Sequence, residues 1–233
     1  MFAQKSSGMA AFLLIGCAVF AEAGDTAVFT DLGFSPNGAV YMFAQYGIER
    51  DTLRPWAELF AVDVAKNDFL PGGRLSYIHD QPAASGQDGS GVLYRLLGQH
   101  TALAERNGVT FLHQGKPLYI ALGDQDGFAG EIIEFRDFDQ NIRYTASLIA
   151  SFEGSGNKQS SSFHISLERG DRDGLKKSYT LGSPKIKRPL ISAYRIRQVF
   201  AAPQNKGLVF VIEMKKTAPG GFDVRYMVET IAL

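Results

Sequence analysis

Short runs of alternating apolar and polar residues, separated by tight-turn sequences, constrain the fold of this chain most strongly. Residues 56–64 read WAELFAVDV, in which Leu59 and Ala61 alternate with Phe60. A period of two is typical of a β-strand, and two largely apolar faces indicate a strand that is packed on both sides. Turn strings such as SPNG at residues 35–38 separate these runs. The pattern therefore predicts a mainly β chain built from antiparallel sheets.

One segment has helical periodicity instead. Its apolar positions are three or four residues apart, which is typical of one buried helix face: Val92, Leu93, Leu96, Leu97 and Leu103. We expect one amphipathic helix near residues 91–107, with Ser90 as its N-cap and Gly108 just after its C-terminus. We also expect a short strand around Phe69 and another strand at residues 110–112.

Two distant segments resemble each other. Residues 34–43 and 201–212 each contain a turn with a proline, followed by an apolar strand. Such a unit recurs in propeller blades, although two unrelated hairpins with ordinary turn chemistry would give the same pattern. We favour a propeller-like arrangement of small sheets, and the alternative is a two-sheet β-sandwich.

The N-terminal residues have the features of an export signal. Lys5 precedes an apolar run at residues 9–20, and small residues occupy positions 21 and 23. The run is too short for a permanent transmembrane helix, which needs roughly 20 apolar residues. Residues 1–23 are therefore predicted to be a cleaved signal peptide, and residues 24–233 to form a single mainly β domain. The expected location is the periplasm or the exterior of the cell, with no transmembrane span after processing.

Cys17 leaves a second interpretation of the leader open. The sequence LLIGC at residues 13–17 is similar to a relaxed lipobox, whose cysteine carries the lipid in bacterial lipoproteins. The apolar run continues past Cys17, however, where lipoproteins usually become polar. Lipidation at Cys17 would hold the protein on a membrane surface, and it is the alternative to cleavage after Ala23.

The charge and cysteine content exclude some function classes. Basic and acidic residues balance at 24 each, so no basic surface is expected for nucleic-acid binding. Cys17 is the only cysteine, and the exported chain therefore has no disulfide unless it keeps that residue. Burial and hydrogen bonding must stabilise it.

The motifs that carry chemistry are incomplete. Residues 123–127 and 170–174 share a G-D-x-D-G pattern that could begin a calcium loop, but Phe128 and Leu175 occupy the next ligand positions. Hairpin turns explain the pattern better. The four histidines lack a zinc-binding spacing, and no G-x-S-x-G serine motif occurs. We therefore predict no catalytic residue, no metal site and no cofactor.

Aromatic residues are the best candidates for ligand contacts. They could line a groove for a sugar or a peptide, because aromatic faces bind apolar ring surfaces; the set is Tyr41, Phe43, Tyr46 and Trp56, with Phe60 nearby. The competing interpretation is that they belong to the core. Alternation places Tyr41 and Phe43 on one strand face, which ordinary sheet packing also requires.

Three strings carry a family resemblance: FSPNG at residues 34–38, ELFAVDV at 58–64 and GFDVRYMV at 221–228. With them the chain resembles the bacterial predicted secreted protein family, domain of unknown function 2259, over nearly all of the exported part. The resemblance implies export and a shared fold, and it brings no known activity, cofactor or catalytic residue. The first string is also similar to one blade of TolB-like periplasmic propellers, with Asn37 in place of the usual Asp.

These observations favour an exported, non-catalytic binding or assembly module of the cell envelope that acts through loops or a sheet edge. An envelope protein or glycan would be its partner. The alternative is a hydrolase of envelope glycan or peptide, for which the best polar cluster is Glu49, Asp51, His79 and Asp80.

Overall fold

The computed structural model describes residues 24–122, 131–171 and 174–233. Within these ranges it contains twelve strands and two α-helices. The strands are β1 (Val28–Phe34), β2 (Val40–Ile48), β3 (Pro55–Asp63), β4 (Asp68–Ile78), β5 (Lys116–Ile120), β6 (Ile132–Asp137), β7 (Ile142–Glu153), β8 (Ser160–Gly170), β9 (Lys176–Pro189), β10 (Ile191–Ala201), β11 (Gly207–Ala218) and β12 (Gly221–Ala232). The helices are α1 (Ser90–Gln99) and α2 (Thr101–Asn107). The predicted leader, including Cys17, lies outside the described residues.

The strands form three four-stranded sheets in which every strand pair is antiparallel. The N-terminal sheet has the order β1-β2-β3-β4, and the outer sheet has the order β6-β7-β8-β9. The middle sheet has the order β12-β11-β10-β5. The predicted mainly β, antiparallel fold is thus confirmed.

The middle sheet is covered on both faces. Along β11, Leu208 and Phe210 belong to the core shared with the outer sheet, whereas Val209 and Val211 belong to the core shared with the N-terminal sheet. All four side chains are fully buried. This explains why residues 207–212 read as an unbroken apolar run, because a strand between two sheets has no polar face.

The helices cover the opposite face of the N-terminal sheet. Leu93 and Leu96 of α1 and Leu103 of α2 pack against β2 and β3. The predicted single helix is divided at His100, whose φ of −127° and ψ of 27° are not helical. Gly108 ends α2 in the left-handed conformation, as expected. Gly89, not Ser90, is the N-cap of α1.

Two strand predictions need correction. The strand around Phe69 is the 11-residue β4. Residues 110–112 form only a single bridge, between Thr110 and Phe34, before the chain turns. The two similar segments lie in neighbouring sheets and their turns touch, since Gln204 Nε2 donates to the carbonyl of Pro36 at 3.3 Å.

Candidate binding groove at a sheet edge

A groove of about 1020 Å³ lies where the edges of two sheets meet. One wall is β5, the edge strand of the middle sheet, and the other is β6, the edge strand of the outer sheet. The groove extends across the end of the outer sheet as far as the turn between β8 and β9. Two backbones from different layers therefore border one open channel.

Aromatic rings form the base of the groove. The rings of Tyr119 and Phe135 are 6.3 Å apart, and Phe135 stacks on Tyr144 at 5.1 Å. Phe135 also meets Phe210 of the middle sheet edge-on at 6.3 Å. These rings continue into the core, so the base of the groove is held rigidly.

Charged side chains of both signs surround this base. The groove is lined by three acidic and three basic residues: Glu134, Glu168, Asp171, Arg136, Arg143 and Lys176. Lys176 pairs with Glu168 at 2.7 Å. Arg136 lies 5.9 Å from the ring of Phe138 and donates a hydrogen bond to Asn141. A balanced lining of this kind suits a polypeptide better than a polyanion.

An ion-pair clip joins the two walls at one end. Lys116 of β5 donates at 2.7 Å both to Asp137 of β6 and to Asp139 in the following turn. Burial favours a higher pKa for Asp137, but the hydrogen bonds from Lys116 and from the backbone N–H of Gln140 outweigh it, so this pKa lies below its usual 3.8. The clip fixes the distance between β5 and β6 at this point.

The outer edge of β6 presents backbone groups that have no strand partner in the part of the chain that the structure describes. Leu148 N donates to Glu131 O at 3.0 Å, which places residues 131, 133 and 135 in hydrogen-bonded pairs with β7. The N–H and C=O groups of the alternate residues, Ile132, Glu134 and Arg136, therefore point away from β7. No strand of the described residues pairs with this side of β6.

The other edge strands are blocked in ways that proteins commonly use. β4 and β5 contain Pro71 and Pro117. β1 and β9 contain register shifts, and β9 also carries several lysines. The start of β12 is covered by a bridge between Thr26 and Val224. Among the described strands, β6 is thus an edge that has neither a proline nor a register shift.

Exposed apolar side chains lie around the groove. Ile132 and Phe138 flank the free edge and are 65% and 83% exposed. Ile120, the last residue of β5, and Leu122, two residues after it, are 51% and 86% exposed. These four side chains form the apolar rim of the groove. Apolar side chains grouped at an open sheet edge are typical of an interaction surface.

A family model described as "Predicted secreted protein (DUF2259)" matches residues 42–232, which include both walls of the groove. The chain belongs to the DUF2259 family. The family description agrees with the export predicted from the leader. In its described residues, this DUF2259 member has no helix with the length and hydropathy of a membrane span. No curated protein and no solved structure matches the chain.

The aromatic set predicted for this DUF2259 member lies elsewhere. Tyr41 and Phe43 are at most 1% exposed, with their rings 6.0 Å apart between the N-terminal and middle sheets. Trp56 is also buried, and Tyr46 is half-buried on the side of the helices. Their burial agrees with the core interpretation, and ligand binding by these four residues stays a prediction.

Trp56 belongs to a polar cluster that the sequence did not indicate. Its indole Nε1 donates to Asp25 at 2.7 Å, and Arg225 donates to the same carboxylate oxygen at 2.6 Å while its guanidinium lies 4.3 Å from the indole ring. Burial raises the pKa of Asp25, although Arg225 and Trp56 act in the opposite direction. The cluster joins residues 200 positions apart and links the N-terminal and middle sheets.

Three of the four residues of the hydrolase alternative contact neighbours in their own turns. Glu49 accepts from Thr52 at 2.5 Å and from Arg54 at 3.3 Å. Asp51 is 80% exposed beside Arg50, and His79 Nδ1 accepts from the backbone N–H of Gln81 at 3.0 Å. Asp80 is exposed.

The two G-D-x-D-G motifs are only partly described. Residues 123–127 lie outside the described residues, and so do 172 and 173 of the second motif. In the described part, Leu175 N donates to Asp171 Oδ1 at 2.9 Å and Gly174 has a φ of +78°. These contacts form the turn between β8 and β9, as the hairpin interpretation expects.

Apart from the second G-D-x-D-G motif, which contributes Asp171, the residues of the groove were not among the sequence candidates. Glu134 and Arg136 could not be assigned to a groove, because a sequence does not show which strands end a sheet. One signal was present: residues 132–138 alternate Ile, Glu, Arg and Phe with Ile, Phe and Asp. That pattern predicts one strand face with charged residues, but not that its edge is open.

Proposed function

We propose that this protein is an exported, non-catalytic binding or assembly module of the cell envelope, which binds an extended polypeptide segment along the free edge of β6. The observation that carries the proposal is the row of outward backbone groups at Ile132, Glu134 and Arg136 beside the groove. A strand added there would satisfy these groups, and the aromatic base and apolar rim would contact its alternate side chains. The mixed charges of the groove support a polypeptide over a polyanion.

Site-specific photo-cross-linking in cells that express the full chain tests this function. A photoreactive amino acid replaces Glu134 at the edge in one variant and Tyr94 in the other, since Tyr94 is 71% exposed on the helical side. We expect a discrete protein adduct from position 134 and none from position 94. Equal yields from both positions, or no adduct at 134, would contradict the proposal.

A proline on the edge supplies a second test. Replacing Ile132 with proline in the cross-linking variant removes an outward N–H and leaves the hydrogen bonds to β7 in place. We expect the adduct from position 134 to disappear. As a control, Ile132→Val keeps the N–H and should retain the adduct.

We propose that the protein acts in the periplasm or outside the cell. The apolar leader and the family description support export, and lipidation at Cys17 is the alternative form of attachment. The intact mass of the native protein separates the two, because cleavage after Ala23 gives a chain that begins at Gly24, whereas lipidation gives one that begins at a modified Cys17.

We also propose that the three sheets correspond to propeller-like blades. Each is a four-stranded antiparallel unit, and the middle sheet packs its two faces against both neighbours, as an inner blade would. The contact between the two similar turns supports this comparison.

A further inference from the structure

The residues on the outward side of the β6 edge are complementary to the same residues read in the opposite direction. In chain order they are Ile132, Glu134, Arg136 and, directly after the strand, Phe138. When two such edges run antiparallel with Phe135 beside Phe135, Glu134 of each copy lies opposite Arg136 of the other. Ile132 of each copy then lies opposite Phe138. Two ion pairs and two apolar pairs result from a single two-fold axis.

We propose that the polypeptide bound at the β6 edge is a second copy of this chain, so that two outer sheets join into one continuous eight-stranded sheet. The inference rests on the proposed function of the edge and names its partner. The interface is isologous, because the same strand serves both copies.

The outward backbone groups of β6 lie at the residues that this pairing requires. Residues directly opposite each other in an antiparallel ladder exchange two hydrogen bonds only where their N–H and C=O groups face the partner. Glu134 and Arg136 both have outward groups, as the hydrogen bond from Leu148 to Glu131 establishes for the whole strand. The proposed partners are therefore the residues that are able to form hydrogen-bonded pairs.

Charge selects this register among the neighbouring ones. A shift of two residues in one direction places Glu134 opposite Glu134, and in the other direction Arg136 lies opposite Arg136. Like charges directly opposite each other destabilise a strand pair, whereas opposite charges contribute roughly 0.2–1 kcal/mol each. Among these registers, only the one centred on Phe135 places both charged residues of each copy opposite a residue of the other sign.

The pairing would also cover apolar surface that is now exposed. Ile132 and Phe138, at 65% and 83% exposure, would contact each other across the axis. The added strand enters the groove next to β5, where Ile120 is 51% exposed. A second copy therefore removes from water the apolar rim that no other described element covers.

Charge-reversal variants of the full exported chain test the inference by sedimentation equilibrium. Glu134→Arg places arginines opposite arginines in both pairs, and Arg136→Glu places glutamates opposite glutamates. We expect the dissociation constant of the dimer to be about tenfold or more higher in each single variant than in the unmodified protein. The reason is that two attractive pairs are replaced by two repulsive ones. An equimolar mixture of the two variants should dimerise again, because every pair then has opposite charges.

Two controls keep the outcome interpretable. Lys185→Glu reverses a charge on β9, at the far edge of the same sheet, and should leave the dimer unchanged. Ile132→Pro should remove the dimer by blocking the edge. A dimer that survives this proline, or single variants whose mixture stays monomeric although both are folded by circular dichroism, would overturn the inference.

The two proposals fail in different ways. If the purified protein is monomeric while position 134 still yields an adduct with a different protein in cells, the edge binds a partner but not a second copy. If position 134 yields no adduct and the protein is monomeric, the edge has no binding role and both proposals fail.

Discussion

Glu229 lies on β12 of the middle sheet and is only 4% exposed, and it contacts a strand residue of the outer sheet and a turn residue of the N-terminal sheet. Asn67, in the turn after β3, donates to it at 2.5 Å, and Arg188 of β9 lies 3.5 Å away. Gly182 of β9 has a φ of +75°, and a Cβ there would be 3.0 Å from the carboxylate. A side chain at this position would crowd the carboxylate and strain the backbone, whereas glycine does neither. Burial raises the pKa of Glu229 above its usual 4.5, while Asn67 and Arg188 offset part of the effect.

We expect Glu229→Gln to change how stability depends on pH. Because the folded pKa is raised, the unfolded state loses its proton first as the pH rises, and the unmodified protein loses stability from about pH 4.5 until the folded group is also ionised. Glutamine does not titrate. Over this interval the free energy of unfolding of Glu229→Gln should therefore rise relative to that of the unmodified protein. Urea unfolding at pH 4, 5.5 and 7 measures the difference.

Asp137→Asn is the matched control because its shift has the opposite sign. The folded pKa of Asp137 is lowered, so its contribution is present above the unfolded value of 3.8 and is lost as the pH falls through the folded value. As the pH rises from below 3.8, the free energy of unfolding of the unmodified protein should therefore rise relative to that of Asp137→Asn. Equal pH slopes for the two variants would contradict the opposite directions of these two pKa shifts.

The helices illustrate how an element is positioned by one apolar face. On α1, Val92, Leu93 and Leu96 are buried against β2 and β3, while Tyr94 on the other side is 71% exposed. The first helix carries no side-chain cap hydrogen bond, so its position depends mainly on this packing. The edge strand β6 shows the same principle for a strand, since its inward face is fixed by the core and its outward backbone groups pair with no strand of the described residues.

We predict that Leu96→Ala costs about 2–5 kcal/mol of unfolding free energy, because Leu96 is 2% exposed and its removal leaves a cavity between helix and sheet. Tyr94→Ala should change it by less than about 0.5 kcal/mol. Urea unfolding of both variants at one pH provides the measurement. Comparable losses would mean that α1 is not held by its buried face.

At the scale of the whole molecule, the middle sheet joins the other two. β11 contributes Phe210 to one core and Val211 to the other, and no position on residues 208–212 is exposed. Loss of either outer layer would expose one face of β11 to water. The three sheets should therefore unfold together, as the predicted single domain of residues 24–233 requires.

Two tryptophan reporters test this cooperativity. Trp56, the only tryptophan, lies between the N-terminal and middle sheets, so its fluorescence reports that layer. A second protein carries Trp56→Phe together with Phe152→Trp. The ring of Phe152, on β7, lies 6.1 Å from the ring of Tyr194, so a tryptophan at this position reports the outer sheet. Each reporter should give the same urea midpoint as far-UV circular dichroism of its own variant. An outer-sheet midpoint clearly below the dichroism midpoint would indicate separate units.

Much of the local structure could be predicted from particular residues. The alternation of WAELFAVDV predicted β3, and SPNG predicted the turn before β2, because period and turn chemistry are local properties. The break at His100 could not be predicted from the apolar spacing, since α1 and α2 keep their apolar residues on the same sheet. Likewise, nothing local distinguishes a buried Tyr41 from an exposed one, because both faces of β2 are apolar.

The sequence by itself determined the β class, the family and the expectation of export, since these depend on patterns within short segments. Only the tertiary structure decided that β5 and β6 end their sheets side by side and that Ile132, Glu134 and Arg136 direct backbone groups outward. The physical reason is that an edge is defined by which strand is absent beside it. That depends on pairing between residues far apart in the chain, which the periodicity of a single strand does not encode.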